Sequence, residues 1–148
     1  MNPTIQLIFE IVGGALTLLT VYGALKSDRK FFLSGLCYFS ILPVIGSAMA
    51  YSDDKAPVHI LVIFLFLVQF VLALPIKINF GPDNLAAIKL ATKIGFAFLI
   101  INVAGAVFIL CLKAPVPALV GYYHVVFSLA VVYIIIKRFS SKGISWIN

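Results

Sequence analysis

The chain has 148 residues, 63% of them hydrophobic and 11% charged, and its mean hydropathy is +1.15. A soluble domain carries about 25% charged residues and leaves much of its surface in water, so this composition excludes an ordinary soluble fold and points to bilayer hydrocarbon as the surroundings. The net charge of +6 is scattered over short segments between apolar runs, with no basic patch to hold phosphates, so nucleic acid is not an expected partner.

Five apolar stretches follow one another, each close to the ~20 residues that cross a hydrocarbon core roughly 30 Å thick. Backbone polar groups in lipid must be bonded internally, which makes each stretch a helix. The prediction is an all-α, polytopic membrane protein with five transmembrane helices in a single domain. The first helix, about residues 5–25, carries a small and polar face of Glu10, Gly13, Gly14, Thr17 and Ala24. It lacks the positively charged leader of a signal peptide and reads as a retained helix. Past a Lys26–Lys30 loop, the second helix, 31–51, presents Gly35, Pro43, Gly46, Ser47 and Ala50. Pro43 removes one backbone hydrogen bond and predicts a kink. The third helix, 57–76, is rich in Leu, Phe, Ile and Val, and is expected to meet lipid or a partner over much of its surface.

Gly81-Pro82-Asp83-Asn84 is a turn signal ending in an N-cap candidate. It precedes the fourth helix, 84–112, whose first turns form a cytoplasmic extension with Lys89 and Lys93 snorkelling from one side. An interfacial helix separate from the span is the alternative there. Further along, Asn102 shares a face with Ala91, Gly95, Phe98, Gly105, Ala106 and Ile109, a small-residue stripe suited to close packing. The fifth helix, 117–136, carries Gly121, His124 and Ser128, and a tail, 137–148, follows with Trp146 suited to the headgroup region. A four-helix bundle with one peripheral helix is the expected packing. An odd number of spans excludes a transporter built from two equal inverted halves.

Basic residues alternate by loop. Lys26, Arg29, Lys30, Lys77, Lys89, Lys93, Lys137, Arg138 and Lys142 fall at one end of the helices, and only Lys55 and Lys113 at the other. The positive-inside rule then puts the amino terminus outside and the carboxyl tail in the cytoplasm, most simply of a cell inner membrane, with an organelle membrane as the alternative. Cys37 and Cys111 fall near opposite ends of their helices, roughly 20 Å apart along the normal at ~1.5 Å per residue. A disulfide needs about 7 Å, so both thiols are expected to be free.

Ionisable groups within a span cost about 2.5–3.5 kcal/mol near its centre and are natural functional candidates. Here they are Glu10, His59 and His124, all toward the outer side, with Tyr51, Asp53, Asp54, Tyr122 and Tyr123 at a similar level. One carboxylate and two imidazoles could hold a divalent metal, relay protons, or act as acid and base on a lipid-like substrate. Interfacial placement and interhelical hydrogen bonding are the plainer reading. HxxxH and HExxH spacings are absent, and no motif calls for a cofactor. Gln69 and Asn102 fall near mid-bilayer, where they would either bond to each other across helices or line a substrate path. With tiny loops and small-residue stripes, the expectation is a non-enzymatic accessory or scaffold subunit, or an oligomeric membrane component. Its partners would be membrane lipids and either further copies of the chain or another membrane protein. The alternatives are a small transporter or proton-coupled carrier using Glu10, His124, Gln69 and Asn102, and a membrane enzyme acting on a lipid or isoprenoid.

Overall fold

The computed structural model describes residues 3–76, 85–112 and 116–139. They form α1 (Pro3–Lys26), α2 (Arg29–Asp54), α3 (Pro57–Leu72), α4 (Leu85–Ala106), a π-helical segment (Val107–Cys111) that prolongs α4, and α5 (Ala118–Phe139). The expected turn at Gly81-Pro82-Asp83-Asn84, along with Lys77, Lys113, Lys142 and Trp146, lies outside the described residues. Four spans, Pro3–Lys26, Arg29–Asp54, Lys89–Cys111 and Ala118–Lys137, are long and apolar enough to cross a membrane. The fifth apolar helix, α3, has 16 residues, about 24 Å at 1.5 Å per residue.

The helix ends have local causes. Between α1 and α2 only two residues intervene, not the five expected from the charged run. Ser27 takes a left-handed conformation (φ 57°), and the Asp28 amide returns to the Gly23 carbonyl at 2.8 Å. The Asp28 carboxylate then accepts the Phe31 amide at 3.1 Å and caps α2, satisfying one of the free donors at a helix start. Arg29 and Lys30 therefore belong to the first turn of α2. The hairpin is tight enough that a Cβ on Gly23 would meet the Phe32 backbone nitrogen. At the other end Lys55, also left-handed (φ 57°), closes α2 by donating to the Tyr51 carbonyl, and Pro57 starts α3 where a missing N–H costs nothing.

Helix α3 stops at Leu72, four residues short of the expected 76. Pro75 has no N–H, crowds the Val71 carbonyl, and disfavours a helical Leu74. The Val71 carbonyl is taken by Leu74 N in a tighter turn at 3.4 Å. By contrast α2 runs unbroken through Pro43, which leaves the Phe39 carbonyl without its usual donor one turn on.

In cross-section the helices close a ring in chain order. α1 packs on α2, α2 on α3, α3 on α4, α4 on α5, and α5 returns to α1. The expected peripheral helix is not found, because each helix has two neighbours. Neighbours alternate in direction except α5 and α1, which run parallel: Tyr123 near the start of α5 bonds the Glu10 carbonyl near the start of α1, and Lys137 near the end of α5 bonds Ser27 just beyond α1. A ring of five antiparallel links is impossible, so one parallel pair is obligatory. Helices α1 and α2 approach each other closely. A Cβ on Gly35 would collide with Thr20 Oγ1 and lie 2.7 Å from the Leu16 carbonyl oxygen.

Burial follows the bilayer rule. The outward faces are apolar and exposed, as at Leu18, Phe64, Ile100, Leu129 and Ile136, while the interior holds Phe39, Phe98 and Phe127 together with Ser40, Gln69, Asn102 and His124. As expected from its composition, α3 presents most of its length outward and buries only Phe66 and Gln69. Both cysteines are free, Cys37 buried and Cys111 exposed. The chain is a small, all-helical integral membrane protein.

Candidate functional site

The polar interior is built outward from Asn102. Its Nδ2 donates to the Phe98 carbonyl one turn back at 2.8 Å and to Gln69 Oε1 on α3 at 2.9 Å. The expected Gln69–Asn102 bond is therefore present. Gln69 Nε2 donates in turn to Ser40 Oγ on α2 at 3.0 Å, and the Ser40 hydroxyl donates to the Leu36 carbonyl at 2.7 Å. On the other side, Asn102 Oδ1 lies 3.0 Å from His124 Nδ1 on α5. One hydrogen-bonded chain thus joins α5, α4, α3 and α2. Ser40, Gln69 and Asn102 have no exposure at all, and His124 retains 2%.

The direction of this chain is fixed by chemistry. A backbone carbonyl cannot donate, so the amide end of Asn102 that meets the Phe98 carbonyl is the NH2 end. Its oxygen therefore faces His124, and Nδ1 of His124 must carry the proton. The same reasoning orients Gln69, whose oxygen receives Asn102 and whose nitrogen reaches Ser40. Every donor points from α5 toward α2. The middle links are amides, which hold hydrogen bonds without handing protons on, so the chain orients and ties rather than conducts. In lipid, such bonds replace contacts that water would otherwise supply.

His124 is enclosed by aromatic and small residues. Phe39 meets it edge-on at 5.3 Å between ring centres and Phe66 at a tilt, 5.5 Å away. Its ring lies against Gly105, where a Cβ would approach three ring carbons at 3.1 Å. Two residues later α4 passes into the π-helical segment, in which Leu112 N reaches back five residues to the Val107 carbonyl at 3.1 Å. Single π turns of this kind occur mostly inside α-helices and frequently at functional sites. Leu110 in that segment packs where a Gly121 side chain would be, at 2.6 Å.

The other candidates separate from this layer. Glu10 is half-buried on α1, its carboxylate accepting Gln6 Nε2 at 3.0 Å. Tyr123 donates to the Glu10 carbonyl at 2.8 Å and packs on Gly13 and Gly14. His59 pairs with Asp54 at 3.0 Å across the α2–α3 turn, where Asp54 also accepts the Ala56 amide. Asp53 is exposed, and Tyr51 carries the Lys55 ammonium 5.4 Å from its ring centre. Among the described residues no three His, Cys, Asp or Glu side chains gather as metal ligands. Glu10, His59 and His124 do not gather into such a group. Phe66, which touches His124, lies seven residues beyond His59 on α3, about 10 Å along the axis. His124 belongs with Gln69 and Asn102, not with Glu10 and His59.

Ser40 is the member of the layer that sequence reasoning missed. Serine bonded to the carbonyl one turn back is common inside apolar helices; Thr17 and Thr20 do the same here. The residue type alone therefore carries no signal. No protein-family model, no curated protein and no solved structure significantly matches the chain.

Proposed function

We propose that this membrane protein is a non-enzymatic component of its membrane, an accessory or scaffold subunit or an oligomer of the chain itself. One observation carries the reading: the polar residues deep in the bundle are engaged with one another, from His124 through Asn102 and Gln69 to Ser40. They fasten four helices together. The outward faces are apolar and large, with Leu18, Ile100 and Leu129 well exposed, and they suit lipid or another membrane helix. Charge asymmetry supports an amino terminus outside and a carboxyl tail in the cytoplasm of an inner membrane. Solubilisation in mild detergent followed by crosslinking and native mass spectrometry tests the proposal. A defined oligomer or a companion protein is the expected result. A solitary monomer that moves or converts a substrate would overturn it.

A second reading, a small proton-coupled carrier, is favoured by one specific placement. An imidazole at the centre of the bundle lies against α4 within one turn of the π-helical segment. In vesicles, His124→Ala and Glu10→Gln would abolish pH-driven flux under this reading. Unchanged flux in both would remove it.

A further inference from the structure

We infer that Nε2 of His124 is an acceptor site for a hydroxyl group inside the bundle, supplied by water or by a lipid alcohol. Three observations lead there. The Phe98 carbonyl fixes the Asn102 amide, and the amide oxygen in turn requires a proton on His124 Nδ1. A neutral imidazole protonated at Nδ1 has its lone pair at Nε2. Among the described residues, no donor serves that lone pair, since the hydrogen bonds of His124 are those to Asn102 and Ser128. Every side-chain nitrogen or oxygen that is wholly shut away in the described residues has a partner. Nε2 therefore keeps a small opening, in keeping with the 2% exposure of the residue.

The surroundings set the class of ligand. Phe39 and Phe66 flank the ring, and Gly105 under its face contributes no side chain. Among the described residues no carboxylate forms an ion pair with the imidazole. A neutral, compact donor suits such a place, and a hydroxyl has both the size and the proton. An acceptor buried without a donor costs about 1–3 kcal/mol, which gives the bundle a reason to admit one. The amide chain toward Ser40 thus has a second effect besides fastening helices: it holds the histidine in the tautomer that presents Nε2 as an acceptor.

The test is nitrogen NMR on the full chain with ¹⁵N-labelled histidine, in lipid nanodiscs at neutral pH. The chain has two histidines, so His59→Gln identifies the His124 signals. Expected is a protonated Nδ1 and a bare Nε2 that shows a cross-peak to a hydroxyl proton. A cross-peak present in pure phosphatidylcholine, which has no hydroxyl, identifies water. One that needs phosphatidylglycerol identifies the lipid alcohol. A proton resident on Nε2, or a bare Nε2 without a hydroxyl contact in either lipid, overturns the inference. Asn102→Leu should move the proton toward Nε2, while Asn102→Asp, which keeps an acceptor, should leave it on Nδ1. Retention of the Nδ1 proton in Asn102→Leu would overturn the tautomer lock even if the wild-type spectrum agreed.

Discussion

Replacing Asn102 by Leu removes the hub of the polar layer while keeping side-chain volume close to constant. Two interhelical bonds disappear, one to Gln69 and one to His124. Polar bonds between membrane helices are worth about 0.6 kcal/mol on average and up to about 1.7, so their loss predicts a destabilisation of about 1–3 kcal/mol. Stranding Gln69 Oε1 pushes the value up, since an unpaired buried acceptor costs about 1–3 kcal/mol. Transfer of the His124 proton to Nε2 pulls it down by relieving an unpaired donor. The net expectation is about 2 kcal/mol, from these opposing effects. Reversible unfolding in bicelles, followed by steric trapping, reads it directly. A double-mutant cycle with Gln69→Leu should return a coupling of about 0.6–1.7 kcal/mol for the pair. Additivity within about 0.3 kcal/mol, the scatter of independent sites, would refute the claim that these amides hold α3 to α4.

The same unfolding measurement separates two glycines. Gly35→Ala forces a methyl into Thr20 and the Leu16 carbonyl and should cost about 1–3 kcal/mol by overpacking, whereas Gly46→Ala meets only Phe9 at 3.7 Å and should be neutral or mildly stabilising through helix propensity. Asp28→Ala removes the cap on the Phe31 amide and should lower stability by about 0.5–2 kcal/mol. Maleimide applied to the folded protein should label Cys111 and spare Cys37, in line with their exposure, and both should react after denaturation; early labelling of Cys37 would contradict the α2 packing.

Much of this architecture is legible in the residues, and the gaps have physical causes. Gln69 and Asn102 stand out because amides in apolar helices need partners, and each is the other's. His124 was harder to place. Counting residues inward from each helix end assumes equal spans at equal height, yet α3 is short and side chains reach several ångströms along the normal. Pro75 carried the information that ends α3 at Leu72, but apolar composition through Ile76 outweighs it in a hydropathy reading. Asp28, three residues before the amide it caps, likewise marked the start of α2 inside a run that reads as loop by charge alone. Ring closure and the π-helical segment depend on contacts among all five helices and leave no local trace.

The parallel seam between α5 and α1 joins the first and the last of the five helices. The partners that meet there, Glu10 with Tyr123 and Ser27 with Lys137, are separated by 113 and 110 residues, while the other neighbouring helices around the ring follow one another in the chain. Closing so large a loop is slow compared with zipping sequential hairpins. The packing of α5 on α1 is thus the long-range contact on which the circle depends, and it is the one that encloses His124.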